Sequence, residues 1–401
     1  IPGSSALSQD HLFTSDAFFQ YLNHLTPEGL IIIPRRLLLP PADSLRLWSA
    51  AYEGLQKMAA ANPANHLAIL RNWDTFVLLI SKRPFGNMDR LIAFANGHNF
   101  DVVYLTGLTS GQANRFNQFD VPYHFNEINR LAAAYRQGTE ETYFKSYLLD
   151  VRPQTDNRPF TGRYLKWPKV KALYQTLGSR LYALLMSGEL VVMVVLIEAL
   201  AVSGLLLLLP LVLVQRRTQK PSRTQVLYFL GIGAGFMFVE LFFIKKFILL
   251  WADPVISFSV VVAGVLIFSS LGGAWAQKQT KSVLKPALYL LLGLLLAATV
   301  ALDSLIQWLM GCALIWQYSA ALMVLGPIGF LMGLPFTIGM RDMLSSAAQR
   351  AYAWSANGCA SVLSSIVAAQ MALAFGIVFI LLSAIAAYGL VMLSWQQMNK
   401  T

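Results

Sequence analysis

The stretch that decides the fold reads VLYFLGIGAGFMFVELFFIKKFILL (226–250), WADP (251–254) and VISFSVVVAGVLIFSSLGGAWA (255–276). Each apolar run is long enough to cross a bilayer, which takes about 20 apolar residues in a helix. Trp251, Asp253 and Pro254 between them suit a turn at a water interface. Glu240 lies inside the first run, where a carboxylate is costly and faces protein or a water-filled cavity. Gly233, seven residues earlier, falls on nearly the same helix face. The pattern therefore predicts a close helix–helix contact with Glu240 turned inward.

The rest of the chain fits an integral membrane protein. Of 401 residues, 56% are hydrophobic and 13% charged, with a mean hydropathy of +0.53. That combination lies outside the range of soluble domains. The net charge of +11 does not argue for nucleic acid, because the bases cluster beside the apolar runs, where they suit anionic headgroups and topology. Cys312 and Cys359 lie in apolar runs and form neither a disulfide framework nor a zinc spacing. The five histidines also lack metal-ligand spacing. The chain opens on Ile1 in mid-pattern, so it reads as a fragment of a longer protein.

Residues 1–165 have the texture of a globular domain. Thr14 or Ser15 caps a helix through Phe18 and Leu22, and Leu30–Ile33 is a short apolar run expected as a strand buried on both faces. A helix from Asp43 or Ser44, strands at His66–Leu70 and Thr75–Ile80, a helix at Asp89–Asn96 and a strand at Val102–Leu105 follow. Strand, helix, strand, strand predicts an α/β sheet covered by helices. It reads as the partial form of a Rossmann-like, doubly wound sheet whose first βαβ units would precede Ile1. Residues 166–188 mix Lys166, Trp167, Lys169 and Lys171 with leucines at helical spacing. They read as an amphipathic linker on the membrane surface, or as a helix packed on the N-terminal domain.

Residues 189–398 form an all-α polytopic bundle with seven expected spans: 189–214, 226–249, 255–276, 286–303, 318–340, 352–373 and 376–395. Arg216, Arg217, Lys220, Arg223, Lys278, Lys281, Lys285, Arg341, Arg350 and Lys400 fall on one side, and Lys245 and Lys246 on the other. The richer side is cytoplasmic by the positive-inside rule, which places the C-terminus inside. Seven spans then put residues 1–180 outside, unless one segment is re-entrant or miscounted.

Few polar groups interrupt the spans. Gly231, Gly233 and Gly235 mimic a nucleotide loop, but no strand precedes them, so they read as packing glycines. Pro327 and Pro335 are expected to kink or break their helix, as at a transport site, or to serve packing alone. Glu240 and Glu198 are acids at membrane depth, with Arg341 and Asn357 as partners for Glu240. Together they could relay protons or bind a cation; the alternative is a hydrogen bond that holds the bundle. At the other end of the chain, Gln9, Asp10 and His11 occupy a loop ahead of a helix, where α/β folds place ligands; the alternative is a solvated loop.

Several segments carry a resemblance. LSQDHLFTSDAFFQYLNHLTPEGLIIIPR (7–35) resembles the loop, helix and fifth strand that follow the fourth strand of spermidine synthase-like proteins, which share the class I S-adenosylmethionine-dependent methyltransferase fold. FDVVYLTGL (100–108), ANRFN (113–117) and LLDVRPQTDNRPFTGRYLKW (148–167) resemble the tail of that domain in bacterial membrane-embedded members. FLGIGAGFMFVELFFIKKFILL (229–250), GLPFTIGMR (333–341) and AWSANGCASVLSSI (353–366) resemble their membrane region. The resemblance implies a bacterial inner-membrane protein whose full-length form transfers an aminopropyl or methyl group. The donor would be S-adenosylmethionine or its decarboxylated form, and the acceptor a polyamine or another cationic or lipophilic molecule. The family's cofactor loop and catalytic aspartate would precede Ile1, so this fragment is expected to bind no cofactor. Gln9, Asp10 and Phe13 are the substrate-loop candidates, although Gln9-Asp10-His11 stands where Glu-Asn-Tyr is expected and Thr161-Gly162-Arg163 replaces a more aromatic run. The competing expectation is a transporter or membrane scaffold with a catalytically silent α/β domain, in which Glu240 and the helix around Gly333 carry function.

Overall fold

The computed structural model describes residues 9–86, 88–177, 188–205 and 221–398. The chain divides into two compact units, Ile1–Leu190 and Val191–Thr401.

The N-terminal unit contains helices α1 (Ser15–His24), α2 (Asp43–Lys57), α3 (Met88–Gly97), α4 (Tyr123–Gln137), α5 (Glu140–Ser146) and α6 (Val170–Leu177). Its sheet contains β1 (Leu30–Arg36), β2 (Leu67–Arg71), β3 (Thr75–Ser81) and β4 (Asp101–Tyr104), in the order β1-β3-β2-β4. Every neighbouring pair is antiparallel. Mixed helix and sheet are as expected, but the described strands display no parallel βαβ pair of the Rossmann-like kind. The hairpin explains part of this. Asn72 Oδ1 accepts from the amides of Asp74 (3.0 Å) and Thr75 (2.8 Å), and so tight a turn joins only antiparallel strands.

One face of the sheet packs on α2, whose Leu45, Trp48, Ala51 and Leu55 are buried with Ile33, Ile69 and Leu78. Trp48 stacks on Tyr52 with centroids 5.1 Å apart. The other face is covered by α3 through Ala95, over Ala68, Leu70, Leu79 and Val102. That cover stops short of β1, where Leu30 is 44% and Ile32 60% exposed. The expectation that Leu30–Ile33 is buried on both faces is therefore corrected: only Ile33 is buried, and β1 has an open edge with a bare outer face. Leu173 of α6 joins the N-terminal core, so that helix packs on its own unit through this residue. Residues 178–187 of the expected linker lie outside the described residues.

The second unit opens with α7 (Gly188–Ser203), the described part of the expected first span; 206–214 lie outside the described residues. The remaining six expected spans correspond to α8 (Arg223–Trp251), α9 (Pro254–Ala276), α10 (Leu284–Leu309), α11 (Leu314–Asp342), α12 (Ala347–Phe375) and α13 (Val378–Met398). All six are long and apolar enough to cross a membrane, which makes the chain an integral membrane protein. Ser222 and Gln225 form a reciprocal capping box at the start of α8, and Asp253 caps α9. Gly376 (φ +99°) separates α12 from α13. The expected break at Pro327 and Pro335 is corrected: α11 runs unbroken through both. The carbonyls that the two prolines leave without an intrahelical donor are those of Met323 and Leu331; separately, Tyr228 on α8 donates its hydroxyl to the Pro335 carbonyl at 2.8 Å.

Candidate functional site

In the N-terminal unit, the loop ahead of α1 meets the carboxyl end of β1. Asp10 accepts from the Leu12 amide at 3.2 Å and starts a one-turn 3-10 helix, His11–Phe13. Thr14 caps α1 by accepting from Ala17 at 3.0 Å and donates to Asp156 at 2.7 Å. The Asp10 amide donates to the Pro159 carbonyl at 2.8 Å, which pins the loop to the segment around residue 156. Arg35, near the end of β1, lies 3.8 Å from Asp10 and 3.4 Å from Asp43. Its guanidinium stacks on Phe13, 4.2 Å from the ring centroid.

Behind this layer, Tyr164 donates to Asp43 at 3.0 Å. Burial raises the Asp43 carboxyl above the usual range, opposed chiefly by Arg35. Arg46, fully buried, stacks on Tyr164 at 4.1 Å and donates to the carbonyls of Asp150, Thr161 and Arg163. Burial, followed by Asp10 and Asp156, raises the Tyr21 hydroxyl above its ordinary value.

The three substrate-loop candidates thus come together, but in unequal roles. Asp10 is engaged by Leu12 and Arg35, and Phe13 lies under Arg35, so neither presents a free group. Gln9 and the residue after Asp10 differ from them. Both side-chain polar atoms of Gln9 and both ring nitrogens of His11 are shielded from solvent without a hydrogen-bond partner among the described residues. His11 Nδ1 lies 3.5 Å from Asp156 but is not aligned as a hydrogen bond. Unpaired buried polar groups are rare and call for an explanation, such as a ligand or water. Sequence reading named Gln9 and made Asp43 a helix start, but gave Arg35 no role; nothing local marks an arginine at the end of an apolar strand as a bridge between two distant acids.

In the membrane unit the intramembrane candidates separate. Arg341 ends α11, where it chelates Asp342 with two contacts of 2.7 Å and donates to the carbonyls of Ala276, Gln277 and Gln279. It therefore caps the C-terminus of α9 and does not partner Glu240. Asn357 sits at the crossing of α8 and α12. A Cβ on Gly233 would lie 2.2 Å from its carbonyl oxygen, which bears out the close contact expected there. Glu240 is half-buried on α8 and makes no hydrogen bond or ion pair with a described residue. Glu198 is exposed on α7.

Sequence reading missed a second paired acid in this unit, Asp303. Buried Lys246 donates to Asp303 on α10 at 2.5 Å. It also missed a cavity of about 650 Å³ between α8, α9, α11 and α12, whose lining includes Phe236, Ser269, Phe336, Thr337, Trp354 and Asn357. Among the described residues, no group of three or more His, Cys, Asp or Glu side chains is placed to hold a metal.

Comparison with family models, curated proteins and solved structures finds no match to this chain. The resemblance to spermidine synthase-like proteins therefore rests on the motifs quoted above.

Proposed function

We propose that this integral membrane protein belongs to a transferase system in which the N-terminal unit supplies the acceptor side of the site. The observation that carries the reading is that Gln9 and His11, beside the end of β1, have no side-chain hydrogen-bond partner among the described residues. Buried polar groups without partners mark a place where a ligand or water can complete the hydrogen bonding. The amide oxygen of Gln9 and a ring nitrogen of His11 can accept hydrogen bonds from an amine. Asp10 and Arg35 neutralise each other and hold the loop in shape. The open edge of β1 leaves room for the sheet to continue.

S-adenosylmethionine, the donor implied by the resemblance, does not fit the described residues. They contain no strand followed by a glycine-rich turn and a helix N-terminus, and the glycines at 231–235 lie within α8. No step through that group is assigned to this chain. Orientation belongs to the same reading: the basic ends of the spans face the cytoplasm, with the C-terminus on that side.

Titration of the purified protein with putrescine or spermidine tests the proposal. Micromolar to millimolar binding is expected, weakened about tenfold or more by Gln9→Ala or His11→Ala. Absence of amine binding, or binding indifferent to both substitutions, would remove it. A second reading, a ligand-binding membrane bundle, is favoured by the cavity among α8, α9, α11 and α12.

A further inference from the structure

The wall of the cavity in the membrane unit carries several hydrogen-bond acceptors beside the side-chain amide donors of Asn357 and Gln277. Ser269 spends its proton on the Leu266 carbonyl (3.2 Å) and Thr337 on the Gly333 carbonyl (3.2 Å). Ser361 donates to the carbonyls of Asn357 (3.0 Å) and Gly233 (3.3 Å). All three hydroxyls line the cavity, and each is left with lone pairs to offer. Asn357 Oδ1, also on the wall, is shielded and has no partner among the described residues. Among the described residues the lining holds no lysine, arginine or acid. Its aromatic members, Phe236, Phe336 and Trp354, supply electron-rich faces, with Phe336 edge-on to Trp354 at 5.2 Å.

With the three hydroxyl protons spent on carbonyls and no charged base on the wall among the described residues, the free acceptors favour a ligand that donates over an anion. Aromatic faces add attraction for a cation, on the order of 0.5–2 kcal/mol each. The volume lies within the range of drug-sized ligand pockets. The lining runs from Gln277, just past the end of α9, to Ile232 and Leu266 within the spans, so a ligand can keep its head or its body at either depth.

We infer that this cavity binds a lipophilic primary amine in its ammonium form, with the N–H groups on Asn357 Oδ1 and the hydroxyl oxygens of Ser269 and Thr337. A free amine and the headgroup of an aminophospholipid share this chemistry. The inference does not rest on the proposed transferase reading, because every residue in it belongs to the membrane unit.

The test uses the whole chain in phosphatidylcholine nanodiscs, with empty nanodiscs as the blank, and 4-phenylbutylamine as the calorimetric probe. Saturable binding is expected. The N-trimethyl analogue, a cation without N–H, and the neutral 4-phenylbutanol should each bind about tenfold more weakly, and 4-phenylbutanoate should not bind. Asn357→Ala and the near-isosteric Thr337→Val should each weaken the amine by about tenfold. Thr337→Val keeps the measurement decisive should Asn357→Ala disturb the crossing of α8 and α12. Equal binding of the four probes, preference for the carboxylate, or indifference to both substitutions would overturn the inference. Putrescine binding altered by Gln9→Ala but not by Thr337→Val keeps the two proposals distinguishable. Addition of phosphatidylethanolamine should lower the apparent probe affinity if the headgroup is the natural occupant and leave it unchanged if a free amine is.

Discussion

His124, on α4, is buried with its Nδ1 3.2 Å from Ser44 Oγ, and its Nε2 has no partner among the described residues. Burial, helped by Arg71, lowers its pKa from 6.5 to about 3. A histidine kept neutral in the fold stabilises it fully above the unfolded value, and that contribution is lost as pH falls through 6.5 toward 3. Each pH unit of such a gap corresponds to about 1.4 kcal/mol, so acidification from pH 6 to pH 4 should cost the N-terminal unit roughly 2 kcal/mol through this residue alone. Urea unfolding at both pH values checks it, with His124→Gln expected to flatten the dependence by that amount; an unchanged slope would assign the acid sensitivity elsewhere. Asp101 shows how such residues escape a sequence reading. It is fully buried and accepts from the amides of Arg115, Phe116 and Asn117 at 2.7–2.9 Å, with Arg71 at 3.4 Å. The string NFDVVY places it at the start of a strand but says nothing of the loop that closes over it fourteen residues later. Gln9 and Glu240 were visible because their oddity is local: a polar loop before a cap, and an acid within an apolar run.

At the scale of elements, glycines separate packing from mere composition. A Cβ on Gly272 of α9 would fall 1.9 Å from the Phe330 carbonyl oxygen, and one on Gly333 of α11 would fall 2.0 Å from that of Ser269. These two contacts set how closely α9 and α11 approach, and so set one wall of the cavity. Gly293 of α10 and Gly389 of α13 have open space where a Cβ would stand. Gly272→Ala and Gly333→Ala should therefore destabilise the bundle by about 1–3 kcal/mol through overpacking. Gly293→Ala and Gly389→Ala should be neutral or better, because alanine is the stronger helix former by about 1 kcal/mol. Thermal unfolding in detergent compares the four, and uniform effects would mean that the α9–α11 contact is not tight. The helices themselves were legible, since six apolar runs of membrane length leave little else to form. The sheet was legible strand by strand but not in its pairing, because a short apolar run such as LIII reads alike in a parallel centre and at an antiparallel edge. The ion pair of Lys246 with Asp303 joins helices α8 and α10, and no periodicity within either run announces it.

Over the whole molecule, the six spans must alternate in direction. The longest connection between them, residues 277–283 between α9 and α10, reaches at most about 25 Å when extended, less than the roughly 30 Å hydrocarbon core. Alternation puts Arg223, Lys278, Lys281, Lys285, Arg341 and Arg350 at one face. Lys245 and Lys246 fall at the other, the latter offset by Asp303. The proposed orientation, taken from the positive-inside rule, makes the first face cytoplasmic. Cys312, in the turn between α10 and α11, then lies on the far face, partly exposed, while Cys359 is buried within α12. In intact cells a membrane-impermeant maleimide should label Cys312, and Cys312→Ser should abolish labelling. Lys281→Cys in that background should react only after permeabilisation; the reverse pattern would invert the bundle. Trp73, 62% exposed in the β2–β3 turn, reports on the N-terminal unit in the same assay. A transfer reaction fed by a cytosolic donor requires Trp73→Cys, in the Cys312→Ser background, to be protected as Lys281→Cys is. Labelling from outside would place the two faces on opposite sides, require a seventh crossing at 189–214, and leave the membrane cavity as the surviving site of function.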